Sequence, residues 1–190
     1  MAGPEAPAGG RGGLIATAAV LGVGLSGFFD GILLHQILQW HHLLSLVPGE
    51  TFREIEVQIF ADGAFHVLMY LITAAGLWML WRRRSALEQA GWPVVAGGGL
   101  LGFGLWNVAD VGFFHWVLGI HRIRLDVPDP MLYDIGWIVV LGAIPTLLGC
   151  CSATPASIAM ARRLDRRWHC WHSLRRRLPR LPKATARPQW

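Results

Sequence analysis

The residues able to do chemistry recur in two copies. FFDGILLHQILQWHH, residues 28–42, sets Asp30, His35, His41 and His42 among Leu, Ile, Phe and Trp. Eighty residues later, ADVGFFHWVLGIH places Asp110, His115 and His121 at the same spacing, and both stretches read D-x4-H-x5-H. ADGAFH adds Asp62 and His66, and YDIGW adds Asp134. Imidazole suits Zn, Cu, Fe and Ni, and carboxylates contribute hard oxygen donors. A ligating histidine commonly gives its second N–H to a carboxylate, so these aspartates have a role beside the histidines. The set therefore points first to a transition-metal site. Met69 is the one soft donor at the level of the histidines, which disfavours a thiolate Cu(I) site and fits Cu(II), Zn or iron. The Glu-x-x-His pairs of di-iron bundles are missing from the sequence.

These groups must be held by apolar elements. The chain is 53% hydrophobic and 15% charged, against about 25% charged in soluble domains. Ten tryptophans against two tyrosines suit an interfacial belt. Four runs are long enough to span a bilayer as helices, at roughly 20 residues each: residues 14–46, 54–81, 92–121 and 131–151, with Pro145 expected to kink the last. They are too long and too evenly apolar for barrel strands, and only helices or closed barrels satisfy the backbone in lipid. The expected fold is all-α, an integral membrane four-helix bundle built as two tandem helical hairpins. Residues 1–13, rich in Pro, Gly and Ala, read as a disordered N-terminus, residues 14–151 as the transmembrane domain, and 152–190 as a basic cytoplasmic tail. Fourteen basic residues fall at one end of the bundle and Arg53, Arg122 and Arg124 at the other. That asymmetry predicts cytoplasmic termini and outer connections at 47–53 and 122–130.

Ionisable groups inside a bilayer cost about 2.5–3.5 kcal/mol each even on a lenient scale, so they are expected to work or to pair. The structural alternative is Asp–His pairing that bridges helices. Counting from the outer turn near Glu50, His35 lies fifteen residues before and His66 sixteen after, at similar depth; His115 is somewhat shallower. His121 and Asp134 share an outer layer, with His41 and His42 near it. In an α-helix Asp30 and His35 diverge by about 140°, which separates them. The expectation is an inner ligand cluster of His35, His66 and His115 with Asp62 nearby. His41 or His42, His121 and Asp134 form an outer group, and Asp30 and Asp110 orient histidines or line a polar pocket of their own. Gly27–Gly31 and Gly98–Gly102 are read as GxxxG helix-packing positions, and Trp40, Trp106, Trp116 and Trp137 as packing or interface anchors.

Two other functions compete. Histidines facing each other across a bundle can hold bis-histidine haem b, although aspartates are poor neighbours for a macrocycle. Asp/His chains also make proton or ion relays, for which a four-helix chain would need to form a homo-oligomer. Catalysis at the metal stays open at the level of the sequence. The tail, with His169, Cys170 and His172, reads either as a polybasic segment against anionic lipid or as a metal-loading arm. Cys150 and Cys151 read as packing residues, and the three cysteines contain no CxxC. Nothing in the sequence resembles a nucleotide loop, a serine-based catalytic motif or a nucleic-acid module.

FFDGILLHQILQWHHL, ADGAFHV, LWNVADVGFFHWVLGIHRIR and YDIGW resemble a family of bacterial membrane proteins known only as a domain of unknown function, over about residues 14–150. The resemblance implies a four-helix inner-membrane protein and no particular activity. Members look as though they accompany copper-handling components of cytochrome-oxidase assembly. That implies respiratory-complex assembly proteins as partners and tilts the metal towards copper, with zinc or iron as alternatives.

Overall fold

A computed structural model describes residues 8–152. Within them lie five helices and no strand. Helix α1 (Ala8–Asp30) runs on without a break into a π-helical segment, Gly31–Ile37. Helix α2 spans Ile55–Arg82, and the short α3, Arg84–Ala90, turns the chain into α4. Helix α4 (Trp92–Ala109) also ends in a π-helical segment, Asp110–Val117. The last helix, α5, covers Pro130–Ser152 and contains a third π-helical stretch at Ile138–Ala143. Four helices are long and apolar enough to cross a membrane: Gly10–Ile37, Ile55–Arg82, Trp92–Val117 and Pro130–Ser152.

Local chemistry explains the boundaries. Gly91, at φ 86°, separates α3 from α4, and Pro93 sits in the first turn of α4, where its missing N–H costs nothing. Asp129 caps α5 by accepting from Met131 N at 3.1 Å, with Pro130 in the first turn. Pro145 deletes one helical hydrogen bond, and the π-helical stretch directly before it absorbs the mismatch in place of a sharp break. α1 starts at Ala8, so residues 8–13, expected to be disordered, are helical. Thr17 Oγ1 donates to Gly13 O at 2.8 Å, and the Arg83 guanidinium lies against Gly13, which ties this turn to the hairpin end. Residues 1–7 and the basic tail from 153 onward lie outside the described residues.

Helices α1 and α4 form the central pair, with α2 packed on α1 and α5 on α4. The central pair runs in one direction: Ile15, Ala19 and Ser26 meet Gly98, Gly102 and Asn107 in order. Small residues let the backbones touch. A Cβ on Gly22 would collide with Gly99 O, and one on Gly102 with Ala19 O. Those two contacts are one contact repeated, because 22 and 102, like 19 and 99, are eighty residues apart. The flanking helices repeat as well. Gly24 packs on Thr73 and Gly104 on Thr146; Gly76 packs on Leu21 and Gly149 on Leu101. The chain is thus two like hairpins around an axis running along the helices, as parallel repeats are. Asp62 and Asp134 are 72 residues apart, but Thr73 and Thr146 are 73 apart. The extra residue of the second hairpin is housed in the π-helical stretch of α5.

The outward faces are apolar. On α2, Phe60, Tyr70 and Trp81 are 76%, 65% and 61% exposed, as lipid-facing side chains would be. The buried polar groups concentrate at one end of the bundle.

Candidate metal centre

The π-helical segments decide what faces the interior. Their i→i+5 bonding brings residues five apart onto one side of the helix, where an α-helix would set them about 140° apart. Asp30 and His35 are five apart, as are Asp110 and His115, and all four are buried. The angular separation expected for them therefore does not occur. The segments close with Leu38 N donating to Leu33 O and Leu118 N to Phe113 O, both at 2.8 Å. Left-handed residues then reverse the chain: Gln39 at φ 50° and Gly119 at φ 64°, again eighty apart. The helices consequently stop at Ile37 and Val117, short of the expected ends near residues 46 and 121. The reversal carries His41 and His121 back into the bundle.

Two buried triads result: Asp30, His35 and His41, and Asp110, His115 and His121. Within each, one donor atom per residue lies within 4.8 Å of the others. His35 Nε2 and His41 Nε2 are 3.0 Å apart, and His115 Nε2 is 3.3 Å from Asp110 Oδ2. Donors sharing one ion at bond lengths of about 2.0–2.2 Å stand about 3–4 Å from one another, so both triads have dimensions that fit a metal. They touch: the rings of His41 and His121 stack with centroids 4.8 Å apart and planes 9° from parallel, and those of His35 and His121 lie 6.2 Å apart.

Each imidazole is braced from behind. His41 Nδ1 donates to Ile123 O at 3.0 Å and His121 Nδ1 to Leu43 O at 3.1 Å, so each loop histidine leans on the opposite hairpin. His115 Nδ1 donates to Asp134 Oδ1 at 2.9 Å. His35 Nδ1 is 3.0 Å from Asp62 Oδ1, an ion-pair distance without hydrogen-bond alignment. Leu43 N and Ile123 N complete the pattern by donating to Asp62 Oδ1 and Asp134 Oδ1. With Nδ1 of His41, His115 and His121 committed outward, Nε2 of these rings points inward, the arrangement usual behind metal-bound histidines, and Nε2 of His35 and His41 share a hydrogen bond. Asp30 Oδ1 and His115 Nε2 are buried with no hydrogen-bond partner, which is costly for a polar atom in a packed interior and fits donors built for a cation.

His41 and His121 lie beyond the membrane-spanning segments. Burial, then the neighbouring His121 and His35, push the His41 pKa down to about 2. Burial also lowers that of His121, to about 4, against the opposing pull of Asp110. Both rings are therefore neutral near pH 7, the state that binds metal.

Of the residues singled out in the sequence, His35, His41, His115, His121, Asp30 and Asp110 come together in the triads. Asp62 and Asp134 stand behind imidazoles. His42 turns away from the triads, its Nδ1 2.6 Å from Asp62 Oδ2. His66 is not brought in: its ring stacks on Phe28 with centroids 6.3 Å apart, and its Nε2 abuts Gly31. Gly27 and Gly31 do serve as packing positions, against Met69 and His66. Arg122, expected only as an outer basic residue, has its Nη1 2.7 Å from Asp134 Oδ2, and Trp116, expected as a packing or interface anchor, donates from Nε1 to the same oxygen at 3.0 Å. Sliding the repeat by eighty would have found Arg122, which falls on His42.

That the chain is a membrane protein is also what comparison with known proteins supports. The chain belongs to a family of membrane proteins of unknown function. The family, described as "Predicted membrane protein (DUF2243)", matches residues 17–154. That span holds both triads and both bracing carboxylates. No curated protein and no solved structure matches the chain.

Proposed function

We propose that this membrane protein binds transition-metal ions in two adjoining sites, each built from two histidines and one aspartate. The observation that carries the reading is the pair of buried Asp–His–His triads with Nδ1 braced outward. Four imidazoles and two carboxylates suit Cu(II), Zn or Fe(II), and divalent affinity for such donors peaks at copper. Copper is therefore the metal proposed, and copper handling or respiratory-oxidase assembly the role, in keeping with the family resemblance. The positive-inside asymmetry supports cytoplasmic termini in a bacterial inner membrane, which would set the centre at the outer end of the bundle.

Haem b is less well served. Axial imidazoles must stand on opposite faces of a macrocycle, whereas His35 and His41 touch at 3.0 Å and the remaining rings pack against them. One observation favours a second reading, a proton relay. Partly exposed His42, Asp62, His35 and His41 form a continuous chain with steps of 2.6, 3.0 and 3.0 Å.

Elemental analysis and an absorption spectrum of the purified protein test these readings. The metal reading expects two ions per chain, one for each triad, and loss of at least one in His35→Ala. A Soret band would support haem. Metal-free protein that refuses added Cu(II) and Zn(II), yet carries a pH-driven flux in liposomes, would sink the metal reading in favour of the relay.

A further inference from the structure

The two triads are close copies, but their surroundings differ in charge. Behind His35, Asp62 receives His42 on Oδ2 and Leu43 N on Oδ1. Behind His115, Asp134 receives Arg122 at 2.7 Å and Trp116 at 3.0 Å on Oδ2, with Ile123 N on Oδ1. Arg122 stands eighty residues from His42 and takes its place. A guanidinium keeps its charge at every accessible pH, whereas an unprotonated imidazole has none. Asp134 is thus paired with a permanent cation, and Asp62 with a side chain that has no permanent charge.

We infer that the two sites are unequal, and that Asp30–His35–His41 is the tighter site and fills first. The inference rests on the metal-centre reading above. A divalent ion in the first site meets Asp30 and an Asp62 that has no permanent cation beside it. One in the second meets Asp110 and an Asp134 already paired with Arg122. One extra positive charge near a dication is a large penalty in a medium of low effective dielectric. It also weakens Asp134 as a partner that raises the basicity of His115. The ion in the first site then repels the second across touching rings, which widens the gap. The residue at position 122 is therefore a positioning and charge-setting residue that ranks the sites without touching the ion.

Titration of the metal-free full-length protein in detergent at pH 8 with Zn(II), and separately with Cu(II), tests this. Two resolved binding steps are expected, at least about tenfold apart in Kd. Arg122→His should tighten the second step by about tenfold or more and leave the first nearly unchanged. His42→Arg should weaken the first step and bring the two together, so a folding failure in either variant leaves the other to decide. His35→Ala should abolish the tight step, and His115→Ala the weak one. Two ions bound with a single affinity would overturn the inequality while leaving the centre standing. Two steps indifferent to both exchanges, or a tight step lost in His115→Ala instead, would overturn the ranking. No binding at all would overturn the centre itself.

Discussion

The first and second hairpins carry the same plan and differ at a few informative points. Both use a π-helical turn to align an aspartate with a histidine, a left-handed residue to return the next histidine, and a carboxylate on the following helix as a brace. The second hairpin tolerates changes that leave this plan intact: Ile138 in place of His66, Arg122 in place of His42, and one added residue in α5. What is kept in both is the set of donors facing one interior point. What varies lies one layer out or on the lipid side. That contrast separates the residues of the centre from polar residues that merely share its depth, and it assigns His66 to the second group.

The contrast can be broken most severely through register. Inserting an alanine after Leu33 lengthens the Asp30–His35 spacing to six residues, about 120° apart on an α-helix. Loss of the metal bound at the first triad is the expected result, read by elemental analysis. Deleting Val140 removes the surplus residue of α5 and should spare both sites, since Asp134 lies on the near side of the cut. Equal losses from the insertion and the deletion would mean that the π-helical turns do not set the centre.

A smaller effect concerns the braces. Asp134→Ala leaves Arg122, Trp116, His115 and Ile123 N without their acceptor. Removing one partner from such a pair costs about 3 kcal/mol. Asp62→Ala strands no permanent cation, and should cost about 1–3 kcal/mol. Denaturant unfolding of the metal-free proteins in detergent should rank them in that order; a reversed ranking would show that Arg122 is relieved by water.

A further effect is on pH dependence. His41 and His121 titrate below the ordinary value of 6.5, at about 2 and about 4. The unfolded chain therefore takes up protons first as pH falls through 6.5, and the folded state loses stability from there down. The loss through His121 should level off near pH 4 and that through His41 continue towards pH 2. Unfolding midpoints of metal-free protein between pH 8 and pH 4 should fall, and His121→Gln should flatten part of the slope.

Much of this was readable in the sequence. The four spans, the tandem hairpins and the polar groups at one end follow from apolar run length and the repeated D-x4-H-x5-H. The grouping of those polar groups did not, because 100° per residue is the wrong ruler for 31–37 and 110–117. A five-residue spacing between two buried polar residues, present twice, is the π-helical register itself, yet it reads as divergence on an α-helical wheel. The placing of His41 beside His35, in place of an outer group, escaped for a related reason. Gln39 is not a residue that advertises a left-handed turn, although Gly119 at the matching position is. His66 was drawn in by depth alone, which counts residues along an axis and says nothing of direction around it.

The bracing of His41 by Ile123 O, and of His121 by Leu43 O, has a mechanical consequence. Neither hairpin can finish its own pocket, since each borrows a carbonyl from its twin. Prising the halves apart would spoil both pockets at once, and a cation lodged in either would act as a rivet across the seam.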